Sequence, residues 1–290
     1  MKTSFERIST PDGLELQGLV YQPEQPTKKA ILHIHGMAGN FYENRFLDYL
    51  ANAFTKNGYV FAVFNNRGHD FVADFRKTDT DKEEYKRIGQ ANEIFEESIL
   101  DIEAGINFLE KNGYTQIYLS GHSLGCSKVA YYQGMKNDPR VKAIVLEAAA
   151  FMMDDAKRQS NFDRLMTKAK ELIKENKESE ILTERFWEWY NISAKTFINF
   201  FGEGAKAGIF NLDTNAPTVL SNIKVPILTI LGDKDDIIMK SPEEDLLTIK
   251  AEARSCPKFD YRIIKGAPHS YFAHEQELAD TILGWLNNFS

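Results

Sequence analysis

Residues 121–125, "GHSLG", place a serine between two glycines, a spacing that suits a nucleophile. A strand-like run, "IYLS", precedes the motif and a helical run, "LGCSKVAYYQGMK", follows it. Ser123 is therefore predicted to lie on a sharp turn from a strand to a helix, where glycines let the backbone approach a reacting group. Without this context, a glycine-lined turn with an incidental serine would explain the motif, because its spacing arises by chance in roughly one chain in ten.

A serine hydroxyl needs a base to take its proton and a carboxylate to orient that base. Both residue types follow predicted strands late in the chain: "LGDKDD" contributes three aspartates and "GAPHS" contributes His269. Because the carboxyl ends of parallel strands meet at one edge of a sheet, we expect these residues to converge with Ser123. The residues alone leave three candidates for the acid, Asp233, Asp235 and Asp236.

The other histidines and Cys126 could also take part in chemistry, but each could instead have a purely structural role. His33 and His35 share one face of a strand, as a metal pair would, but no further ligand cluster follows them at a suitable spacing. Cys126 is predicted to pack in the helix after Ser123. His69, in "NNRGHD", could contact a substrate or hydrogen-bond within its loop, and His122 could tune the turn or pack. The sequence therefore indicates no metal or organic cofactor.

Short β-rich apolar runs alternate with segments of helical spacing along most of the chain. An opening hairpin is predicted around Asp12 and Gly13. The later predicted strands are "KKAILHIHG", "YVFAVFNN", "QIYLSGHS", "VKAIVLEAAA", "VPILTILG" and "FDYRIIKG". This alternation predicts an α/β fold with a mostly parallel central sheet and helices on both faces.

One stretch breaks the alternation. Residues 151–212 contain no convincing strand, and "DRLMTKAKELIKENK" has helical spacing. We therefore predict a helical insertion at residues 151–212 between two parts of one core, residues 1–150 and 213–290. Its aromatic side chains could line an apolar pocket or pack a helical layer. The candidates for the pocket are Trp187, Trp189 and Phe200.

Composition restricts the partners of this chain of 290 residues. The formal net charge of −7, with no basic block, argues against nucleic acid as a partner. The two cysteines have no CxxC spacing, which argues against a disulfide framework or a zinc ribbon. The start of the chain has no signal-peptide pattern and no run could span a bilayer, so we expect a cytoplasmic protein without integral membrane association. Its oligomeric state stays open, with a homodimer as one option.

Four motifs together resemble the α/β-hydrolase family in their order along the chain: "HGMAGN", "GHSLG", "LGDKDD" and "GAPHS". The resemblance covers nearly the whole chain outside the insertion. In that family the acid usually stands three residues after the glycine that ends its strand, so the resemblance implies a triad of Ser123, Asp235 and His269. It also implies an oxyanion loop that begins near Gly36.

The same resemblance implies an oxyanion hole made by the backbone amides of Met37 and Leu124. The insertion stands where the family usually carries its cap over the mouth of the active site. A small-molecule substrate is therefore expected to contact Gly36, His69 and His122 beside the aromatic residues of the insertion.

The resemblance implies a serine hydrolase that cleaves carboxylic esters, or lactones, through an acyl-enzyme. A serine at the turn counts against relatives with other nucleophiles, such as dehalogenases, epoxide hydrolases and dienelactone hydrolases. "FNNRGHDF", "FEESILDIEAGI" and "GEGAKAGIF" are also similar to siderophore-esterase-like proteins. Thioesterase, amidase, carbon–carbon bond hydrolase and haloperoxidase-like activities stay open, as does a non-catalytic protein that binds small molecules, because a fold does not fix a reaction.

Overall fold

The computed structural model describes residues 1–213 and 218–289. Eight of its strands form one sheet in the order β1-β2-β4-β3-β7-β8-β9-β10. β1 and β2 form the predicted hairpin, β2 pairs antiparallel with β4, and the other neighbours are parallel. The strands are β1 (Lys2–Ser9), β2 (Glu15–Gln22), β3 (Lys29–Ile34), β4 (Val60–Phe64), β5 (Asp74–Arg76), β6 (Tyr85–Arg87), β7 (Gln116–His122), β8 (Val141–Glu147), β9 (Ile227–Gly232) and β10 (Phe259–Ile264). The mostly parallel sheet predicted from the sequence is confirmed.

Helices cover both faces of this sheet. α1 and α8 pack on one face, and α2, α3 and α7 contribute to the core on the other. All five residues of β4 are buried, as expected for a strand covered on both sides. The helices are α1 (Phe46–Lys56), α2 (Ser98–Lys111), α3 (Leu124–Lys136), α4 (Met152–Arg158), α5 (Phe162–Lys174), α6 (Ala194–Phe201), α7 (Pro242–Glu252) and α8 (Glu275–Leu286). Within residues 1–213 and 218–289, none of the helices is both long and apolar enough to cross a bilayer.

The insertion, residues 151–212, contains α4, α5 and α6 and adds no strand to the main sheet. α5 buries Leu165, Ala169 and Leu172, which lie on one helical face. The ring of Phe186 is fully buried, and its contacts with neighbouring rings organise the layer. Four other rings pack around it at centroid distances of 6.5 Å or less: Phe162, Trp187, Phe197 and Phe201. These side chains belong to the same apolar core as the sheet face beneath them.

The register of the sheet brings several strand ends together. Ile34, the last residue of β3, pairs with Gly121 of β7, and His122 pairs with Glu147 at the end of β8. β9 ends at Gly232, beside Ile264 at the end of β10. The loops that follow these strands therefore start along one edge of the sheet, where the sequence predicts the functional residues.

Candidate active site

Ser123 lies in a strained turn between β7 and α3. Its φ of 55° and ψ of −122° are unusual for a residue with a Cβ atom. The Ser123 N–H donates to the carbonyl of Glu147 at 2.9 Å, and the Cys126 N–H donates to the Ser123 carbonyl at 2.9 Å. Because the backbone is held on both sides, the side chain is presented at the end of the strand, which is the geometry of a nucleophile elbow.

The two glycines of the motif are required by close backbone contacts. A Cβ atom on Gly121 would overlap the carbonyl of Gly125, and one on Gly125 would overlap the carbonyl of Ile34. The glycines therefore let α3 pack directly against β7 and β3. The sequence predicted that they make room around the serine, and the structure adds that they make room for the helix beneath it.

His269 and Asp235 face each other from the loops that follow β10 and β9. The His269 Nδ1 atom lies 3.0 Å from each oxygen of the Asp235 carboxylate. Because an ionised carboxylate only accepts hydrogen bonds, Nδ1 carries the proton and Nε2 is left as a proton acceptor. Asp235 is buried, whereas His269 is partly exposed at the edge of a cavity. The pair has the arrangement needed for general base chemistry.

The other two aspartates of the turn have different surroundings. Asp233 accepts the Gly266 N–H at 2.6 Å and so links the loops after β9 and β10. Asp236 is exposed. Among the residues that the structure describes, Asp235, Asp236 and His269 are the only group whose ligand atoms could hold a metal ion, all within 4.8 Å of one another. Since Asp235 already faces His269 Nδ1, we interpret this group as an acid–base pair beside an exposed carboxylate.

Ser123 and His269 border the same cavity, whose volume is about 370 Å³. Met37 and Leu124 also border it, next to Ser123. The insertion forms another part of the cavity wall, which we call the insertion wall. It contributes seven lining residues: Phe151, Met152, Asp155, Gln159, Trp187, Trp189 and Tyr190. The structure thus brings together the residues predicted for the reaction with two of the three aromatic residues predicted for the pocket.

Other residues predicted to contact a substrate lie away from this cavity. Phe200 is buried and packs against the rings of Phe95 and Phe201. His69 borders a separate polar cavity, and its Nδ1 lies 3.0 Å from an oxygen of Asp70.

Two further predicted residues act near Ser123 without lining the cavity. His122 is buried, and its Nε2 donates to the His269 carbonyl at 2.9 Å. Burial lowers the pKa of His122 to about 3, so the ring is neutral. Gly36 lies against the serine, because a Cβ atom there would stand 3.0 Å from the Cβ of Ser123. His122 thus contacts the backbone of His269, and Gly36 contacts the side chain of Ser123.

The remaining histidine and cysteine candidates are buried beneath the site. His33 Nδ1 lies 2.8 Å from the hydroxyl of Ser120, and burial lowers the pKa of His33 to about 3. The Cys126 thiol contacts the carbonyls of Gly121 and Glu147 at 2.9 and 3.1 Å. Burial raises the pKa of this thiol well above its usual value, which makes it a poor nucleophile.

Sequence reasoning missed the polar residues of the insertion wall. Asp155 accepts a hydrogen bond from Trp187 Nε1 at 2.5 Å, and burial raises the pKa of its carboxyl. Gln159 lies one turn further along and borders the same cavity. The only signal was a pair of acids in "FMMDDAKRQS", a pattern shared by many exposed helix ends. The pocket therefore combines aromatic surfaces with a carboxylate in the same lining as Ser123.

A family model described as serine aminopeptidase, S33, matches residues 25–277, which is most of the chain. The chain belongs to this family of α/β hydrolases. The match includes the four motifs from "HGMAGN" to "GAPHS" and the insertion between them. No curated protein matches the sequence.

Solved structures share the S33 fold of this chain at low sequence identity. Est1E from Butyrivibrio proteoclasticus with bound ferulic acid has a TM-score of 0.69 and 17% identity, over 97% of this chain and 98% of that chain. The esterase Pf2001 from Pyrococcus furiosus has a TM-score of 0.63 and 18% identity, over 99% of this chain and 91% of that chain. A thermostable carboxyl esterase from Bacillus coagulans in complex with glycerol has a TM-score of 0.70 and 15% identity, over 99% of both chains. These likenesses establish the α/β-hydrolase fold.

Proposed function

We propose that this chain is a serine hydrolase that cleaves carboxylic esters through an acyl-enzyme. The observation that supports this function best is the pairing of His269 with both oxygens of Asp235, at a cavity that also contains Ser123. The strained backbone of Ser123 adds to this support, since unusual backbone angles cluster at functional sites.

In the proposed reaction, Ser123 Oγ attacks the acyl carbon while His269 Nε2 takes its proton. Asp235 holds the imidazole and stabilises its charged form. The amides of Met37 and Leu124 donate to the developing oxyanion, and one such donor contributes roughly 3 kcal/mol to transition-state stabilisation. His269 then gives the proton to the departing alcohol, and water repeats the two steps to release the acid. The proton that Ser123 loses to the alcohol is replaced by one from water, and His269 carries both.

We propose further that the insertion, residues 151–212, acts as a cap that selects a substrate with a small aromatic acyl group bearing a hydroxyl. Trp187, Trp189 and Tyr190 offer flat apolar surfaces, and Asp155 offers a carboxylate oxygen to a hydroxyl donor. The ferulic acid bound to Est1E, which has such a hydroxyl and ring, fits this reading. The cavity of about 370 Å³ has room for a molecule of this size.

The experiment is a set of initial rates with 4-nitrophenyl acetate, 4-nitrophenyl octanoate, methyl cinnamate and methyl 4-hydroxycinnamate. We expect turnover of the esters, with a higher kcat/KM for methyl 4-hydroxycinnamate than for methyl cinnamate. Ser123→Ala should lose about 10⁶-fold in kcat. Equal turnover by wild type and Ser123→Ala would refute the assignment of Ser123. Tight binding of an ester without turnover by either protein would favour a non-catalytic binding protein.

A second candidate is an amide hydrolase that removes amino-terminal residues. Two observations favour it: the description of the family model, and the two carboxylates, Asp155 and Asp236, at the cavity, which could bind a substrate ammonium group. Amino acid 4-nitroanilides compared with the matching 4-nitrophenyl esters would decide between them. A higher kcat/KM for the anilides than for the esters, lost in Ser123→Ala, would favour the amide hydrolase over the esterase.

A further inference from the structure

The two amides of the proposed oxyanion hole are held by different means. The Leu124 amide opens α3, so the helix and the strained turn at Ser123 fix its direction. Met37 lies in a loop after β3 that belongs to no helix or strand of the sheet. We call residues 35–41 the oxyanion loop, a name that rests on the proposed function. Something other than regular structure must orient the Met37 N–H.

The carbonyl of Gly36 provides that orientation. It accepts hydrogen bonds from His35 Nδ1 at 2.9 Å and from the Gly39 N–H at 3.2 Å. The Gly36 carbonyl and the Met37 N–H belong to one trans peptide plane, in which the two groups point in opposite directions. Holding the carbonyl therefore also fixes the direction of the N–H. Met37 itself borders the cavity beside Ser123.

The tautomer of His35 is determined by its neighbour. The backbone N–H of Asn66 donates to His35 Nε2 at 2.9 Å, so Nε2 is an acceptor and the ring proton sits on Nδ1. Burial, together with the nearby charge of Lys128, lowers the pKa of His35 well below its usual value and keeps the ring neutral. His35 is thus prepared to donate to the Gly36 carbonyl.

A second loop supports the oxyanion loop along its length. We call residues 65–70, "NNRGHD", the support loop. The side chain of Asn65 accepts the Phe41 N–H at 3.0 Å, and His69 forms an isolated parallel bridge with Ala38. Asp70 accepts a hydrogen bond from the Asn40 side chain at 2.9 Å. Contacts at both ends and in the middle make the position of one loop depend on the other.

A buried ion pair anchors the support loop from below. Lys128 Nζ lies 2.5 Å from Glu93 and donates to the Asn66 side chain at 3.0 Å. Both charged side chains are fully buried, and a Cβ atom on Gly68 would overlap the Glu93 carboxylate. A buried ion pair rarely adds stability over an apolar pair of the same size, so its presence here calls for another role.

Lys128 also connects the two halves of the oxyanion hole. It lies on α3, the helix that begins with Leu124, and reaches Asn66, whose side chain amide donates to the His35 carbonyl at 3.4 Å. We propose that His35 and the Lys128–Glu93 pair are positioning residues that set the direction of the Met37 N–H relative to the Leu124 N–H. Their task is transition-state stabilisation rather than stability of the fold.

Two substitutions of His35 separate its hydrogen bonds. In His35→Asn the amide nitrogen takes the place of Nδ1 and can still donate to the Gly36 carbonyl. In His35→Gln the longer amide reaches the place of Nε2, where it accepts from Asn66 and leaves the carbonyl without its side-chain donor. With 4-nitrophenyl acetate we expect a loss of about 100-fold in kcat for the Gln variant and of less than about 10-fold for the Asn variant, with similar KM values.

A pair of ketones provides a readout that a packing role would not change. Trifluoroacetophenone accepts the serine oxygen and forms an oxyanion, whereas acetophenone binds without forming one. The ratio of their inhibition constants should shrink in His35→Gln by the same factor as kcat, and stay near the wild-type ratio in His35→Asn. Equal losses in both variants, or an unchanged ratio in His35→Gln, would overturn the role of His35.

The ion pair is tested by replacing it as a unit with Lys128→Met and Glu93→Leu, which avoids leaving one buried charge alone. We expect kcat and the ketone ratio to fall about 10-fold while the thermal unfolding midpoint stays equal or rises. If the double variant keeps both kcat and the ratio, the pair has no positioning role. If it unfolds at a lower temperature and keeps its ketone ratio, its role is structural and the proposal for the pair is also overturned.

Ser123→Ala distinguishes this inference from the proposed function. If Ser123→Ala retains wild-type activity, the serine hydrolase assignment fails before the oxyanion loop is considered. If Ser123→Ala is inactive and both His35 variants behave like wild type, the proposed function stands and the inference alone is wrong.

Discussion

The cavity has two walls of different construction. On the sheet wall, the side chains proposed to react stand on loops that start at neighbouring strand ends, and backbone hydrogen bonds such as Ser123 N–H to Glu147 hold them. On the insertion wall, the side chains come from α4 and from the turn at residues 186–190. There Trp187 is oriented by its bond to Asp155, and Trp189 is 72% exposed.

This difference predicts that the sheet wall carries out the chemistry and that the insertion wall sets the shape of the pocket. Groups tied to strand ends keep one geometry, which suits bond making and proton transfer. Side chains on the insertion pack against other side chains, so changes there can alter the shape of the pocket without moving the triad. Substitutions on the sheet wall should therefore change kcat, and those on the insertion wall should change stability or substrate preference.

After Ser123→Ala, the largest expected effect belongs to Asp235→Asn on the sheet wall. The amide would no longer hold the His269 tautomer that leaves Nε2 free, and kcat should fall by about 10⁴-fold with little change in KM. Steady-state rates on 4-nitrophenyl acetate measure both. Asp236→Asn, one residue along the same turn and exposed, is the matched control and should stay within about threefold of wild type. Similar losses in the two variants would contradict the choice of Asp235.

On the insertion wall, Phe186→Ala should give the next largest effect, in stability. Its ring is fully buried among four others, and removing it should cost about 3–5 kcal/mol in the free energy of unfolding. Urea denaturation measures this loss. Trp189→Ala, which removes an exposed ring from the same turn, should change the stability by less than about 0.5 kcal/mol. An equally stable Phe186→Ala protein would show that the insertion does not depend on its aromatic layer.

Substrate preference should change when Asp155 is truncated. A hydrogen bond to a charged group contributes about 1.5–3 kcal/mol, so Asp155→Ala should reduce the preference for methyl 4-hydroxycinnamate over methyl cinnamate by about 10–100-fold. The ratio of the two kcat/KM values measures this. Loss of the bond that orients Trp187 affects both substrates and cancels in the ratio. Asp163→Ala, an exposed acid at the start of α5, serves as the control. An unchanged ratio would remove Asp155 from substrate recognition.

The two walls also differ in how well the sequence predicted them. Strand runs such as "YVFAVFNN" are buried on both sides, so their composition alone identified them, and the motifs at strand ends identified Ser123, His269 and three acids. The short ribbon of β5 and β6 was missed, because β6 is fully exposed and charged and carries no apolar pattern.

Residues whose role depends on tertiary contacts gave no local signal. The sequence analysis drew no inference from Lys128, yet this side chain is fully buried on α3, which is itself buried around most of its circumference. In the sequence, Asp155 resembles an ordinary acid near a helix start, and only the fold shows that it borders the same cavity as Ser123. Phe200 and Trp187 are both aromatic residues of the insertion, and the sequence does not distinguish them. In the structure Trp187 borders the cavity, whereas Phe200 is buried.

The smallest expected effect concerns a carboxyl beneath the sheet wall. Glu147 is fully buried, and burial raises its pKa well above 4.5. Around it lie the Ser120 hydroxyl, a neutral His33 with Nδ1 at 3.8 Å, and Tyr271. A carboxyl whose pKa is raised on folding stabilises the native state fully below the unfolded pKa, and this contribution is lost as the pH rises through the folded pKa.

Glu147 should therefore make the change in unfolding free energy with pH more negative in wild type than in Glu147→Gln above about pH 5, by at most about 1.4 kcal/mol for each pH unit. The buried neutral rings of His33, His35 and His122 contribute a slope of the opposite sign, which is common to both proteins and cancels in the comparison. Free energies of unfolding from urea titrations at pH 5, 6 and 7 measure the two slopes. Because Glu147 lies behind the strand ends and not in the cavity, kcat at pH 7 should change less than it does in Asp235→Asn. Parallel slopes for the two proteins would mean that Glu147 ionises equally easily in the folded and unfolded chains.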